Sequence, residues 1–114
     1  MIVKESGSKE QVRENLKDGE GKVKFFNFLH PEDMTNCRLM SKMVLQPKTS
    51  IGEHTHIDET EYYYILSGTG MVIDNGEKRR VSTGDLVVTK NGEAHSVVND
   101  GTEPLEIFAM IVTN

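Results

Sequence analysis

Apolar residues are sparse at the start of the chain. Between Lys4 and Lys24 only Val12, Leu16 and Val23 are apolar, too few to anchor that stretch in a core. Val12 and Leu16 stand four apart, on one face of a helix. Ser8-Lys9-Glu10-Gln11 fits a capping box, and Gly19 is a plausible stop. The pattern predicts a polar segment over 1–24, either a short helix at 9–17 or a mobile arm. From Lys22 the pattern changes to short strands split by Gly, Asn, Asp and Pro. Strands are predicted at 22–29, 37–46, 62–66, 71–74, 78–81, 86–89, 95–98 and 105–113. Asn75-Gly76 lies between two of them, and both residues accept the positive φ that a tight hairpin needs. In 37–46 the residues Leu39, Met43 and Leu45 share one side. Along Tyr62-Tyr63-Tyr64 the alternation turns Tyr63 inward with Glu61 and Ile65, and its two neighbours outward. Strands this short, with turns every 8–12 residues or so, define an all-β sandwich or barrel.

Length and charge narrow the function. A chain of 114 residues has the size of one domain, expected as an arm over 1–24 and a barrel over 25–114. Thirteen basic against eighteen acidic residues give a net charge of −5, which argues against a nucleic-acid surface. The longest basic run, Lys78-Arg79-Arg80, is short and sits at a turn. The single cysteine, Cys37, cannot form an internal disulfide. No signal-peptide pattern follows Met1, and the apolar run Phe108–Val112 is far short of a membrane span. A cytoplasmic protein without nucleic-acid or membrane partners is therefore expected.

The histidines carry the candidate chemistry. His54 and His56 are two apart, so on a strand both imidazoles reach the same face. Glu61 follows five residues later, close enough for a turn to return its carboxylate to the same place. His95 would come from a neighbouring strand. A lone His-x-His is more often a solvated strand edge than a ligand pair. Three imidazoles and a carboxylate together suit one divalent Mn, Fe, Co, Ni or Zn. Octahedral coordination by four side chains would leave two positions for water or substrate. Glu59 shares strand parity with Glu61, and His30, beside Pro31, reads as a loop residue. Met40, Met43, Met71 and Met110 read as core filler and Cys37 as buried.

These residues resemble the cupin superfamily, in its small single-domain form. Gly52-Glu53-His54-Thr55-His56, then Glu61 after four residues and Gly68 after six more, look like the first cupin motif. Gly84, Gly92, His95 and Asn99 look like the second, and the 15 residues Thr69–Thr83 resemble the short hairpin between them. Motif and strand pattern cover about Leu39 to Val112. The resemblance selects Glu61 over Glu59 as the ligand beside His54, His56 and His95. Two positions depart from the motifs. Lys48 stands where glycine is usual after Pro47, so a turn of positive φ would be strained there. Lys90 stands where the second motif has proline, leaving that turn less rigid in the unfolded chain.

The resemblance implies a cupin-type double-stranded β-helix, a jelly-roll barrel, with a metal inside. It also implies a homodimer, to which the N-terminal segment could add a strand. Three functions follow: a metal-dependent enzyme, a metal-dependent binder without turnover, or a structural barrel. The enzyme would be a sugar-acid isomerase or tautomerase, a decarboxylase, or a dioxygenase. The complete ligand set argues against a structural barrel, and no helix-turn-helix fits the polar first 24 residues. One carboxylate on a divalent ion leaves net +1 in a pocket of low dielectric, which favours an anionic or oxygen-rich small molecule. Tyr63 is the candidate catalytic proton donor, with a packed aromatic as its alternative. Met43, Val97 and the Phe108/Met110 pair are expected around the metal, with Arg38 or Lys42 at the rim.

Overall fold

A computed structural model describes residues 1–114 and contains ten strands. They are β1 (Lys9–Glu14), β2 (Lys22–Asn27), β3 (Cys37–Leu45), β4 (Ser50–Thr55), β5 (Glu59–Ser67), β6 (Thr69–Asp74), β7 (Glu77–Ser82), β8 (Leu86–Thr89), β9 (Ala94–Val98) and β10 (Leu105–Thr113). A six-stranded sheet has the order β1-β2-β3-β10-β5-β8, and a four-stranded sheet the order β4-β9-β6-β7. Every pairing is antiparallel. This is the expected all-β jelly roll.

Alternation explains the core. Val23, Phe25, Met43, Leu45, Ile65 and Ile107 turn inward from the larger sheet and meet Ile51, Val72, Val81 and Val97 from the smaller one. Each is nearly inaccessible, so the two sheets are held by apolar area removed from water. The β6–β7 hairpin turns at Asn75 and Gly76, with φ of 49° and 88°, as the dipeptide predicts. No helix is long and apolar enough to cross a membrane.

The N-terminal segment departs from the helical expectation. Residues 9–14 form a strand that pairs along its whole length with β2. One turn's worth of apolar stripe, Val12 and Leu16, offers a helix little to bury. Pairing with β2 instead provides ladder hydrogen bonds, the ion pairs Lys22–Glu14 (3.9 Å) and Lys24–Glu10 (3.6 Å), and Arg13 over the Phe25 ring. A kinked turn, Leu16–Asp18, follows, with Lys17 and Asp18 at φ of 55° and 64°.

Both motif departures have a local account. Lys48 takes φ +70°, the left-handed conformation that disfavours a side chain. The Lys90 N–H donates to Glu93 Oε1 at 2.8 Å, a bond proline could not make.

Other expectations are corrected. Of the four methionines read as core filler, only Met43 is fully buried; Met40, Met71 and Met110 are partly exposed. Cys37, at the start of β3 beside an irregularity in the β10 register, is half-buried. Phe108 and Met110 lie on the alternate set of β10 from the buried Ile107, Ala109 and Ile111, and so face away from the core. β10 is apolar at both parities near its end, so sequence alternation could not orient it. Lys42 also faces outward, pairing with Glu5 at 2.5 Å and Glu106 at 3.5 Å.

Candidate metal centre

His54, His56, Glu61 and His95 each offer one donor atom, and these atoms lie within 4.8 Å of one another. His54 on β4 and His95 on β9 are direct cross-strand partners. The β4 register slips between Ile51 and His54, an irregularity of the kind that re-aims a side chain. His56 lies just past the end of β4. Its backbone N–H donates to Glu93 O (3.1 Å), and its carbonyl accepts from the Gly92 N–H (2.7 Å). Glu61 comes from β5 in the other sheet, so the cluster sits between the two layers. His56, Glu61 and His95 are buried, while His54 is half-exposed and marks the open side.

The second nitrogen of each ring is already engaged. His54 Nδ1 is 2.8 Å from Gly52 O, His56 Nδ1 is 2.5 Å from Glu59 Oε2, and His95 Nδ1 is 2.7 Å from Thr89 Oγ1. A carbonyl and a carboxylate only accept, so the Nδ1 atoms of neutral His54 and His56 carry the protons. The Thr89 hydroxyl can accept from His95 in the same way. Lone pairs therefore remain at Nε2 on His54 and His56. Those atoms both stand 3.1 Å from His95 Nε2. Glu61 Oε1 is 2.9 Å from His56 Nε2 and 3.0 Å from His95 Nε2, yet it is buried without a properly directed hydrogen bond. Electron pairs crowded this closely repel unless a cation lies among them. The donor set thus fits a divalent transition metal, with each ligating ring oriented from behind.

The same close contacts shift the acidities within the cluster. The Glu61 carboxylate raises His56 above its ordinary pKa despite burial, and Glu59 adds to the effect. Burial lowers His54, and the neighbouring imidazoles lower it further. Burial acts to raise Glu61, but the close approach of the His56 and His95 imidazoles holds its carboxyl below the usual range. The Arg38 guanidinium holds Glu59 at about 2, through two bonds of 2.7 Å each. Glu59 is therefore an anion fixed behind His56.

A cavity of about 180 Å³ opens from the cluster. That is below the roughly 300–1,000 Å³ of pockets for drug-sized ligands, so it suits a small molecule. Tyr63, Met43 and Arg38 line it as expected, whereas Val97 belongs to the packed core. The Tyr63 ring stacks on His95 at 4.8 Å between centroids. Burial and the Glu61 carboxylate push its hydroxyl well above the ordinary value, so it stays protonated. Arg13, Leu16 and Lys17 also line the cavity. The sequence reading missed these three, because their approach depends on how the N-terminal segment docks. Thr89 carried no signal either. Asn99, from the second motif, is structural: its amide donates to Leu45 O and Glu103 O, each at 2.8 Å. His30 is an exposed loop residue.

Comparison with known proteins supplies the family. The family model described as "Cupin domain" matches residues 41–111, and the chain belongs to that family. It is 39% identical over 113 residues to the oxalate-binding protein of Thermotoga maritima, covering 98% of this chain and 93% of that one. It is 30% identical over 67 residues to the tetracenomycin polyketide synthase protein TcmJ of Streptomyces glaucescens, covering 59% of this chain and 45% of that one. Among solved structures, a Thermotoga maritima protein described as a predicted oxalate decarboxylase superposes with TM-score 0.96 at 37% identity, covering all of both chains. The polyketide cyclase RemF of Streptomyces resistomycificus shares the fold, with TM-score 0.79 at 16% identity, covering 99% of this chain and 78% of that one.

Proposed function

We propose that the protein binds one divalent transition metal through His54, His56, Glu61 and His95, and with it a small dicarboxylate of the size of oxalate. The observation that carries the reading is the convergence of four donor atoms, one of them an otherwise unpartnered buried carboxylate oxygen, at a cavity of about 180 Å³. Likeness to an oxalate-binding protein over nearly the whole chain supports the ligand class. A bound metal would supply Lewis acidity and positive charge for a chelating anion. The chain's own residues orient the ligating rings, exclude bulk water through Met43 and Leu39, and hold a neutral phenol at Tyr63.

A reading with turnover rests on that phenol. It lines the cavity beside Glu61 and stays protonated there, within the space a bound substrate would occupy. Decarboxylation of oxalate to formate and carbon dioxide needs one such proton, and sugar-acid isomerisation and dioxygen addition are the other reactions of the enzyme reading. Copies of the chain pair as a homodimer in our reading. The row Phe26, Lys42, Phe108, Tyr64 and Leu86 crosses the outward face of the larger sheet and is mostly apolar. A single half-buried cysteine suits the reducing cytoplasm.

The test is metal content by mass spectrometry on untagged protein beside His95→Ala, followed by calorimetric titration with oxalate. Near one equivalent of metal, lost in the variant, is expected, with oxalate binding only to the metal-loaded form. Formate release from oxalate would move the protein into the enzyme class. Absence of metal after reconstitution with Mn, Fe, Co, Ni and Zn would overturn the site.

A further inference from the structure

Two cations at the cavity have no carboxylate within ion-pair distance, and both come from the N-terminal segment. Arg13 projects from β1 and lies over the Phe25 ring, its Cζ 4.8 Å from the centroid. Its hydrogen-bond partner is the Gln11 side-chain oxygen at 3.5 Å, a long and weak contact. Lys17 follows at the kink of the next turn, with φ of 55°, and also lines the cavity. Arg38, the third cation there, differs, since both of its bonds go to Glu59. With that pair neutral, Arg13, Lys17 and Glu61 leave 2 − 1 = +1 around the cavity, and a divalent ion at the cluster would make it +3.

Lys17 stands on a backbone fixed against the strand that carries His54, while Arg13, four residues earlier, stands on β1 opposite Val23 of β2. A Cβ on Gly52 would meet Lys17 O at 1.8 Å, and one on Gly19 would meet Ser50 O at 2.3 Å. Only glycine permits an approach this close. The Glu20 N–H donates to Ser50 Oγ and the Ser50 N–H to Glu20 O, each at 2.9 Å. Gly52 O in turn accepts from His54 Nδ1. The segment and the ligand are therefore held through one stretch of β4 backbone.

From this we infer that Arg13 and Lys17 are the anion-recognition half of the site. They bind the outward carboxylate oxygens of a small dicarboxylate whose inner oxygens face the histidine cluster. The assignment rests on the metal-dependent dicarboxylate reading above. The Phe25 ring beneath it restrains the planar Arg13 guanidinium, which suits a two-pronged grip on a carboxylate. Lys17 adds a point charge. A monocarboxylate has no outward group for either residue, so these two positions set the preference for a dianion.

The experiment compares wild type, Arg13→Gln, Arg13→Lys and Lys17→Gln, each loaded with Mn. Metal content, melting temperature and calorimetric affinities for oxalate and acetate are measured on all four. Wild type should prefer oxalate to acetate. Arg13→Gln should weaken oxalate about tenfold or more, as expected for lost charge-assisted bonds, with metal content and melting temperature unchanged. Lys17→Gln should weaken it less, and Arg13→Lys should recover part of the loss. Oxalate affinity equal to wild type in both Gln variants would overturn the assignment and leave the binding function standing. Loss of metal or folding in Arg13→Gln that Arg13→Lys does not restore would overturn it too, in favour of a structural role. A metal-loaded wild type that ignores oxalate would overturn the dicarboxylate reading, and this assignment with it.

Discussion

Every imidazole in the cluster is held from behind, and the three restraints differ in kind. Gly52 O is backbone, Thr89 is a neutral hydroxyl, and Glu59 is an anion fixed by Arg38. Gly52 O and Glu59 both make their rings more basic, but only Glu59 brings a full negative charge to the ring it holds. Glu59→Ala should therefore weaken metal binding about 10- to 100-fold, measured by competition with a chromophoric chelator, while the strand spectrum in circular dichroism is kept. The same ion pair has a pH signature in the metal-free protein. Glu59 sits at about 2 rather than its ordinary 4.5. Its folded value is depressed, so the stabilisation is complete above the ordinary value and lost as pH falls toward 2. Urea midpoints of wild type and Arg38→Met should differ at pH 6, less so at pH 3, and converge only at about pH 2. Because Arg38 is half-exposed, the difference at pH 6 should be about 1 kcal/mol.

Among the elements, β4 bears the most constraints in the fewest residues: it pairs with β9, slips register, supplies His54 and receives the N-terminal segment. Gly52→Ala would drive a methyl group into Lys17 O. It should cost about 1–3 kcal/mol by urea unfolding and loosen the backbone around the exposed Arg13 and Lys17, so that trypsin cleaves there faster. Lys48→Gly works the other way. Relieving a side chain at φ +70° should stabilise by about 1 kcal/mol, read as a higher melting temperature.

These cases also mark what the sequence could and could not reveal. The Lys48 strain and the His54–His56 pair were legible because each is decided within a few residues, whereas the choice of Glu61 and the addition of His95, 41 residues beyond His54, came from the motif resemblance. Strands β8 and β10 were bounded by turn chemistry alone, and Tyr63 was oriented by simple alternation. β1 was not legible. Its Lys-Glu-Gln-Val-Arg-Glu sequence has one apolar residue, and its partner is supplied by β2 rather than by its own periodicity. The cations Arg13 and Lys17 were hidden for the same reason, since they reach the cavity through a crossing at Gly19 and Gly52 far along the chain. Phe108 and Met110 were misoriented because β10 is apolar at both parities.

For the whole molecule, the outward face of the larger sheet matters most. Tyr64 and Leu86 pair across β5 and β8 there, 44% and 56% exposed. In the homodimer proposed above, a second copy would cover them. Light scattering should give twice the chain mass of 12.8 kDa, and Tyr64→Glu with Leu86→Glu should halve it without loss of metal. An unchanged mass would locate the contact elsewhere.

The place of β10 has a consequence for how the protein comes into being. It lies between β3 and β5 and hydrogen-bonds to both, yet it is translated long after either of them. A nascent chain that has emerged only as far as β9 holds two strands with facing, unsatisfied edges and no shared neighbour. Such edges invite pairing with other chains. Sheet closure must then wait for residues 105–113 to leave the ribosome. Interruption of synthesis within that stretch would release a product prone to clump rather than a partly working barrel.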